Sequence, residues 1–414
     1  MKSIFSIVWL LVVSCSTVFA EDYWPQFRGP TGQGHSTAVN VPTSWSETEN
    51  VQWKVEVPGL GWSSPVVKDG RIWLTTAAEE GKSLRLLSFD LKTGKSLKDI
   101  EIFQVAEPSK IHNKNSHASP TPLLEADCIY VHFGTHGTAC VKEDGTVVWS
   151  IDLDYKHGHG SGGSPVLFED LLIITCDGID AQFMVALDKH TGKEKWRKKR
   201  DHLSEARRNG EKNAPQGYST PLLIPYKNTT LLLSTGVDHV AAYDPRTGEE
   251  IWWSEYDGYS VIPRPVVAHD MVFVTSSYNK PVFYGVRLGG KGNVTESHIA
   301  WTLEKGAPHS PSPIVVGDEI YIVSDRGIGT CLDAKTGEQH WQERLGGNYS
   351  ASPVYVGGLI YFQDEKGTTI IIEPGTELKE VARNTVEGRT LATFTPINNA
   401  LLLRTDTHLY RIGE

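Results

Sequence analysis

From residue 51 onward the chain alternates short apolar runs with polar breaks, and one unit keeps returning. Each unit holds a small or polar residue, a proline, an apolar run, a polar turn and a second apolar run. Ser64-Pro65-Val66-Val67 precedes Arg71-Ile72-Trp73-Leu74, and Ser312-Pro313-Ile314-Val315 precedes Glu319-Ile320-Tyr321-Ile322. Proline cannot donate to a β-ladder, so it marks the first residue or an edge of a strand. Pro65, Pro122, Pro165, Pro221, Pro265, Pro313, Pro353 and Pro396 thus mark eight innermost strands, roughly 40 to 57 residues apart.

A second signal falls between the third and fourth strands of many units: Asp90-Leu-Lys-Thr-Gly94, Asp188-Lys-His-Thr-Gly192, Asp244-Pro-Arg-Thr-Gly248 and Asp333-Ala-Lys-Thr-Gly337. Asp accepts from turn amides and Gly takes a positive φ at little cost. A tryptophan follows in most units (Trp149, Trp196, Trp252, Trp301, Trp341), a ring suited to packing between adjacent sheets. The last unit, 390–412, has chain for about three strands. The alternating stretch 50–57 around Trp53 supplies the fourth and closes the ring, removing exposed edges. The pattern predicts an all-β fold: an eight-bladed propeller of four-stranded antiparallel blades. The charged stretch 196–212 has no apolar stripe and reads as a loop.

Composition agrees, with 39 Gly, 22 Pro and 12 Trp but only 3 Met. Residues 1–20 read as a leader: Lys2, then the apolar run 4–13. Val18-Phe19-Ala20 fits cleavage before Glu21, while Val12-Val13-Ser14-Cys15 loosely fits a lipobox that would leave Cys15 lipidated. Either reading gives an exported protein, periplasmic or extracellular, or anchored by lipid at Cys15. Residues 21–44 form an N-terminal extension and 45–414 a single propeller, expected to be monomeric. The formal charge is −10, which argues against nucleic acid as a partner. Cys128 and Cys140 fall on neighbouring strands, where export permits a disulfide, although free buried thiols are the commoner outcome.

The Ser-Pro-strand and Asp-x-x-Thr-Gly-x-x-x-Trp units resemble the repeats of quinoprotein (PQQ-like) propellers. That group includes quinoprotein alcohol dehydrogenases and the scaffold lipoprotein of the outer-membrane assembly machinery. Tyr23-Trp-Pro-Gln-Phe-Arg-Gly-Pro30 is similar to the start of exported planctomycete-type members. The resemblance implies a propeller whose function is binding or scaffolding in the envelope, toward a protein or a small molecule. The alternative it implies is a PQQ-dependent or other small-molecule oxidoreductase using the central funnel. The dehydrogenases are similar to one another in a vicinal cysteine pair and a calcium site, and this sequence has no adjacent cysteines and no Cys-x-x-Cys-His. Its cofactor set is therefore read as none, with PQQ as the candidate to test.

In a propeller, the loops entering the innermost strands meet at one mouth. Aligned on the prolines, they supply Trp62, His117, His159, Gln216, Tyr218, Arg264, His309, Asn348, Tyr349 and Arg389 as candidate ligand contacts. His117, His159 and His309 would share a funnel and bind a polar or anionic ligand, or zinc; as ordinary loop histidines each would satisfy carbonyls instead. Arg264 and Arg389 would recognise an anion or bridge neighbouring blades. Trp62, Tyr218, Tyr259 and Tyr349 would suit a polysaccharide. The basic stretch 197–212 reads as a solvated loop or, less simply, a contact for an anionic partner. Gly158 to Gly163 spells G-x-G-x-x-G but precedes a strand, so it lacks a dinucleotide-binding context.

Overall fold

The computed structural model describes residues 22–413. The leader, and Cys15 with it, lies outside the described residues. Eight antiparallel sheets follow one another around a ring, seven of four strands and one of five. Blade 1 consists of Val66–Lys68, Arg71–Ala78, Ser83–Asp90 and Ser96–Gln104, ordered from the axis outward. Blades 2 to 7 repeat this over 123–151, 166–199, 222–255, 266–303, 314–344 and 354–385. In blade 8, Val51–Glu56 pairs antiparallel with His408–Gly413 and closes the ring. Blade 4 gains Gly292–Asn293 as a short parallel fifth strand.

The core is divided among the seams between blades. Val66, Trp73 and Leu86 of blade 1 pack against Ile129, Val131 and Val141 of blade 2, and the remaining seams are filled in the same manner. Fully burying such side chains is worth about 1.5–3 kcal/mol each. The recurrent tryptophans tie one blade to the next. Trp53, Trp149, Trp196 and Trp301 donate Nε1–H to the carbonyls of Leu91, Lys189, Pro245 and Ala334, at 2.9–3.2 Å. Each acceptor is the second residue of the next blade's Asp-x-x-Thr-Gly turn. The turn glycine lies flat on the ring: a Cβ on Gly94, Gly192, Gly248 or Gly337 would come within 2.6–2.8 Å of it. Trp252, whose neighbouring blade lacks the turn, has a buried Nε1 without a partner among the described residues.

Three expectations need correcting. Pro396 does not open its strand. Val66, Val67 and Lys68 oppose Trp73, Ile72 and Arg71, while Thr395, Pro396 and Ile397 oppose Leu402, Leu401 and Ala400. Phe394 therefore occupies the place of Pro65, and Pro396 sits two positions later, tolerated because an innermost strand pairs on one side only.

The stretch 196–212 is not simply a solvated loop. Glu194–Lys199 is a strand and Glu205–Arg208 a helical turn. Arg200 and Arg207 are buried, paired with Asp177 at 2.9 Å and with Asp238 at 2.8 Å. Finally, Cys128 and Cys140 form a disulfide, with Cα atoms 5.9 Å apart, while Cys176 and Cys331 are buried and free. The pair sits diagonally across one antiparallel ladder, since Cys140 opposes Tyr130 and Cys128 opposes Lys142.

The segment 24–36 runs beneath the ring. Trp24 pairs with Val67 in blade 1, Pro25 O accepts from Leu124 in blade 2, and Gly34 O accepts from Tyr355 in blade 7. Arg28, at its centre, is fully buried and donates to Gln33 O and Pro313 O at 2.8 Å. No helix among the described residues is long and apolar enough to cross a membrane.

Candidate functional site

The loops that enter the innermost strands surround a funnel of about 660 Å³ on the axis, and Phe27 of the segment beneath forms part of its lining. The neck is made by the residue that precedes the first strand residue's neighbour in each repeat, the Ser or Thr before the proline. These hydroxyls are bonded around the axis. Ser64 N–H donates to Thr121 Oγ1 (3.0 Å), Thr121 N–H to Ser164 Oγ (2.9 Å) and Ser164 N–H to Thr220 Oγ1 (2.9 Å). The series resumes as Arg264 to Ser312, Ser312 to Ser352 and Ser352 to Thr393, each at 3.0 Å. Thr393 takes this place in blade 8 because of the two-residue offset of Pro396.

Arg264 stands where a hydroxyl stands in the other repeats. Its guanidinium is buried below the neck and donates to Pro221 O at 2.9 and 3.2 Å and to Phe27 O at 2.7 Å. Burial pulls both Arg264 and Arg28 down to about 9, and the charge of Arg264 adds to the effect at Arg28. Neither has a carboxylate partner among the described residues.

The candidate residues divide by position. Trp62, His159, Tyr218, His309 and Asn348 line the funnel. Arg389 lies at the rim with its guanidinium 5.5 Å above the Trp62 ring, and donates to Asn113 O at 2.8 Å. Gln216 is buried behind His159 and meets its Nδ1 at 3.2 Å. Tyr349 is buried in the seam of blades 6 and 7. His117 faces a separate groove, with Nε2 bonded to Ser109 O at 2.8 Å. His117 thus stands apart from His159 and His309, and no group of three His, Cys, Asp or Glu side chains among the described residues is arranged to hold a metal ion.

Several lining residues carried no clear signal in the sequence. Tyr278 and Asn279, and Asp325 and Arg326, come from loops between second and third strands, which the proline alignment does not reach. The sequence marks them only as aromatic or charged residues in polar breaks between apolar runs; in the structure Ser277 and Asn279 take positive φ. Phe27 was not findable by that alignment, because it lies far from every repeat. Asp325 is the lining's carboxylate. Burial pushes it up, but hydrogen bonds from His309 and Ser310 outweigh that and hold it below the usual range. Ser310 Oγ donates to it at 2.7 Å, and His309 Nδ1 lies 3.5 Å away. The hydroxyl and the imidazole thus turn to the same carboxylate, and no hydroxyl of the lining is bonded to a histidine.

These residues do not fit a calcium-held quinone. One lining carboxylate, already engaged, is no cation cage. The described cysteines lie within blade 2 as a disulfide or buried singly in blades 3 and 6.

Comparison with known proteins agrees with the geometry. The sequence family described as outer membrane protein assembly factor BamB matches residues 36–178, 101–220, 184–290 and 293–379. Among solved structures, BamB from Moraxella catarrhalis has a TM-score of 0.60 at 14% identity, over 87% of this chain and 96% of that one. Quinohemoprotein alcohol dehydrogenase from Comamonas testosteroni gives 0.64 at 11%, over 94% and 80%. A europium-containing methanol dehydrogenase gives 0.66 at 9%, over 94% and 91%. At such identities the likeness is one of fold. No curated protein sequence matches the chain.

Proposed function

The chain belongs to the family described as outer membrane protein assembly factor BamB, and from that premise we propose that it is an exported, non-catalytic propeller that binds or scaffolds in the cell envelope. The funnel mouth is where its protein partner or small ligand docks. The observation that carries this reading is the lining itself: aromatic rings and hydrogen-bonding groups beside a few charges, of which the carboxylate of Asp325 is engaged by Ser310, with no lining hydroxyl set against an imidazole base. Such a surface recognises without reacting. The resemblance of fold to the BamB structure supports a protein partner. A leader over 1–20, an extension over 21–44 and a propeller over 45–414 belong to the same proposal. So do a periplasmic or extracellular location and, by the Tyr23–Pro30 stretch, a place among the planctomycete-type propellers.

The test is capture from an envelope fraction of the producing cell by the tagged mature chain. Tyr278→Ala and His159→Ala should reduce the captured partner at least tenfold, whereas Val381→Ala on the outer rim should not. Capture indifferent to both funnel variants would overturn the proposal. The oxidoreductase alternative has the likeness of fold to the two dehydrogenases in its favour, but the funnel lining offers one engaged carboxylate and no cation cage; a thermal shift on titration with PQQ and calcium is the result that would revive it.

A further inference from the structure

The hydroxyls at the neck are bonded on one side only. Thr121, Ser164, Thr220, Ser312, Ser352 and Thr393 each accept one backbone N–H from the adjoining blade. A hydroxyl also carries a hydrogen of its own to donate, and none of these six donates to an acceptor among the described residues. Ser64 Oγ is buried with no partner among the described residues. All seven line the funnel, and none is more than 4% exposed. These seven O–H groups, unspent among the described residues, all belong to residues that line one funnel, and what complements them is an acceptor.

The charges point the same way. Beneath the neck, Arg264 and Arg28 are bonded to carbonyls and have no carboxylate partner among the described residues, so positive charge sits unpaired there in a medium of low dielectric. At the rim, Arg326 is exposed and lines the same funnel. The one lining carboxylate, Asp325, is occupied by Ser310 and by the N–H of His309 at 2.7 Å. A chain of net charge −10 thus presents a locally positive, donor-rich neck.

We propose that this collar of hydroxyls binds a carboxylate group at the neck of the funnel, above Phe27. The inference rests on the funnel being the docking place and adds the chemistry of what docks. Two or three of the seven donors suffice for one carboxylate, and such charge-assisted bonds are the stronger kind. The volume leaves room for the body of the ligand against Trp62 and Tyr278, so the carboxylate belongs either to a free small acid or to the end of a peptide chain.

Isothermal titration of the mature chain separates these cases, using acetate against acetamide and Gly-Gly-Phe with a free against an amidated C-terminus. Acids should bind at least tenfold tighter than the matching amides. Acetate binding with no gain for the peptide assigns a free acid; a peptide acid at least tenfold tighter than acetate assigns a chain end. Ser64→Ala is the diagnostic variant. Its hydroxyl has no partner among the described residues, so a merely structural role predicts no effect, whereas the collar predicts about tenfold weaker acid binding at an unchanged melting temperature. Equal binding of acid and amide, binding of neither, or an unaffected Ser64→Ala variant would overturn the carboxylate site. Partner capture that still depends on Tyr278 would then leave funnel docking standing without it.

Discussion

Thr121 Oγ1 accepts the backbone N–H of Ser64 at 3.0 Å, across the seam between blades 1 and 2. The same relation recurs around the neck, and it gives the residue before the proline a physical role in five repeats, at Thr121, Ser164, Thr220, Ser312 and Ser352, with Thr393 in the equivalent place of blade 8. The proline starts the strand without needing a donor; the residue before it accepts the adjoining blade's N–H at the axis. What reads in sequence as a repeated Ser/Thr-Pro is, in these repeats, a series of blade-to-blade bonds.

Removing an accepting hydroxyl leaves a buried N–H unpaired, which costs about 1–3 kcal/mol. Ser312→Ala and Ser352→Ala, which orphan the N–H of Arg264 and of Ser312, should each lower the urea-unfolding free energy by that amount. Ser64→Ala should cost well under 1 kcal/mol, because its oxygen accepts nothing. A Ser64 cost equal to the others would sink the one-sided pattern.

The segment beneath the ring should be intolerant of small additions. Gly32 has φ +71°, and a Cβ there would collide with the Arg264 guanidinium. Gly32→Ala should destabilise by about 2 kcal/mol or more, measured by the same unfolding curves. A neutral result would show that the segment does not hold Arg264.

Breaking the buried pair between Arg207 and Asp238 should cost about 3–5 kcal/mol. The arginine donates to both carboxylate oxygens, at 2.8 and 2.9 Å. Arg207→Ala is therefore expected to lower stability sharply, while Lys199→Ala, whose pair with Asp201 is exposed, should stay within about 0.5 kcal/mol. Equal small effects would return 197–212 to the status of a solvated loop.

Three histidines, His132 and His239 buried and His157 partly buried, make the fold sensitive to acid. Burial lowers His132 to about 3 and His157 to about 4, with the neighbouring His157 and His136 adding to the respective shifts. Burial, with Arg200 next, lowers His239 well below its usual value. Each folded value lies below the unfolded one near 6.5, so below that pH the unfolded chain takes up protons that the folded chain refuses. Stability should be full above about pH 6.5 and fall as the pH drops toward the folded values, by up to about 1.4 kcal/mol per pH unit for each histidine. Denaturation midpoints at pH 7.5 and 5 check this; His132→Gln should flatten the fall, and an unchanged midpoint at pH 5 would contradict it.

The architecture was legible because its signals are local. Strand alternation, the Asp-x-x-Thr-Gly turn and the tryptophan each report on a few neighbouring residues, and Trp53 at the N-terminal side announced the closure that pairing with His408–Gly413 completes. Pro396 misled by two positions, since a proline is also accepted inside an unpaired edge. The candidate site was legible only in part. Which loops enter the mouth followed from the repeat, but where a loop side chain points depends on tertiary packing, so Trp62 and His159 face the funnel while Arg264 turns beneath it and His117 to another groove. Phe27 and Arg28 reach the axis through contacts with blades hundreds of residues away, such as Arg28 with Pro313. No local pattern encodes such a contact. Arg200 and Arg207 read as solvated charge because their carboxylate partners, Asp177 and Asp238, lie in other turns of the chain.

The central claim, that the funnel mouth is where a partner or ligand docks, is tested most directly by photo-crosslinking in the intact producing cell. A photoreactive residue replaces Tyr278 in the funnel or, as control, Val381, which is exposed on blade 7. The account predicts a discrete adduct from position 278, competed by the unlabelled mature chain, and none from position 381. An adduct confined to position 381, or none from 278 while the protein is folded and expressed, would contradict it.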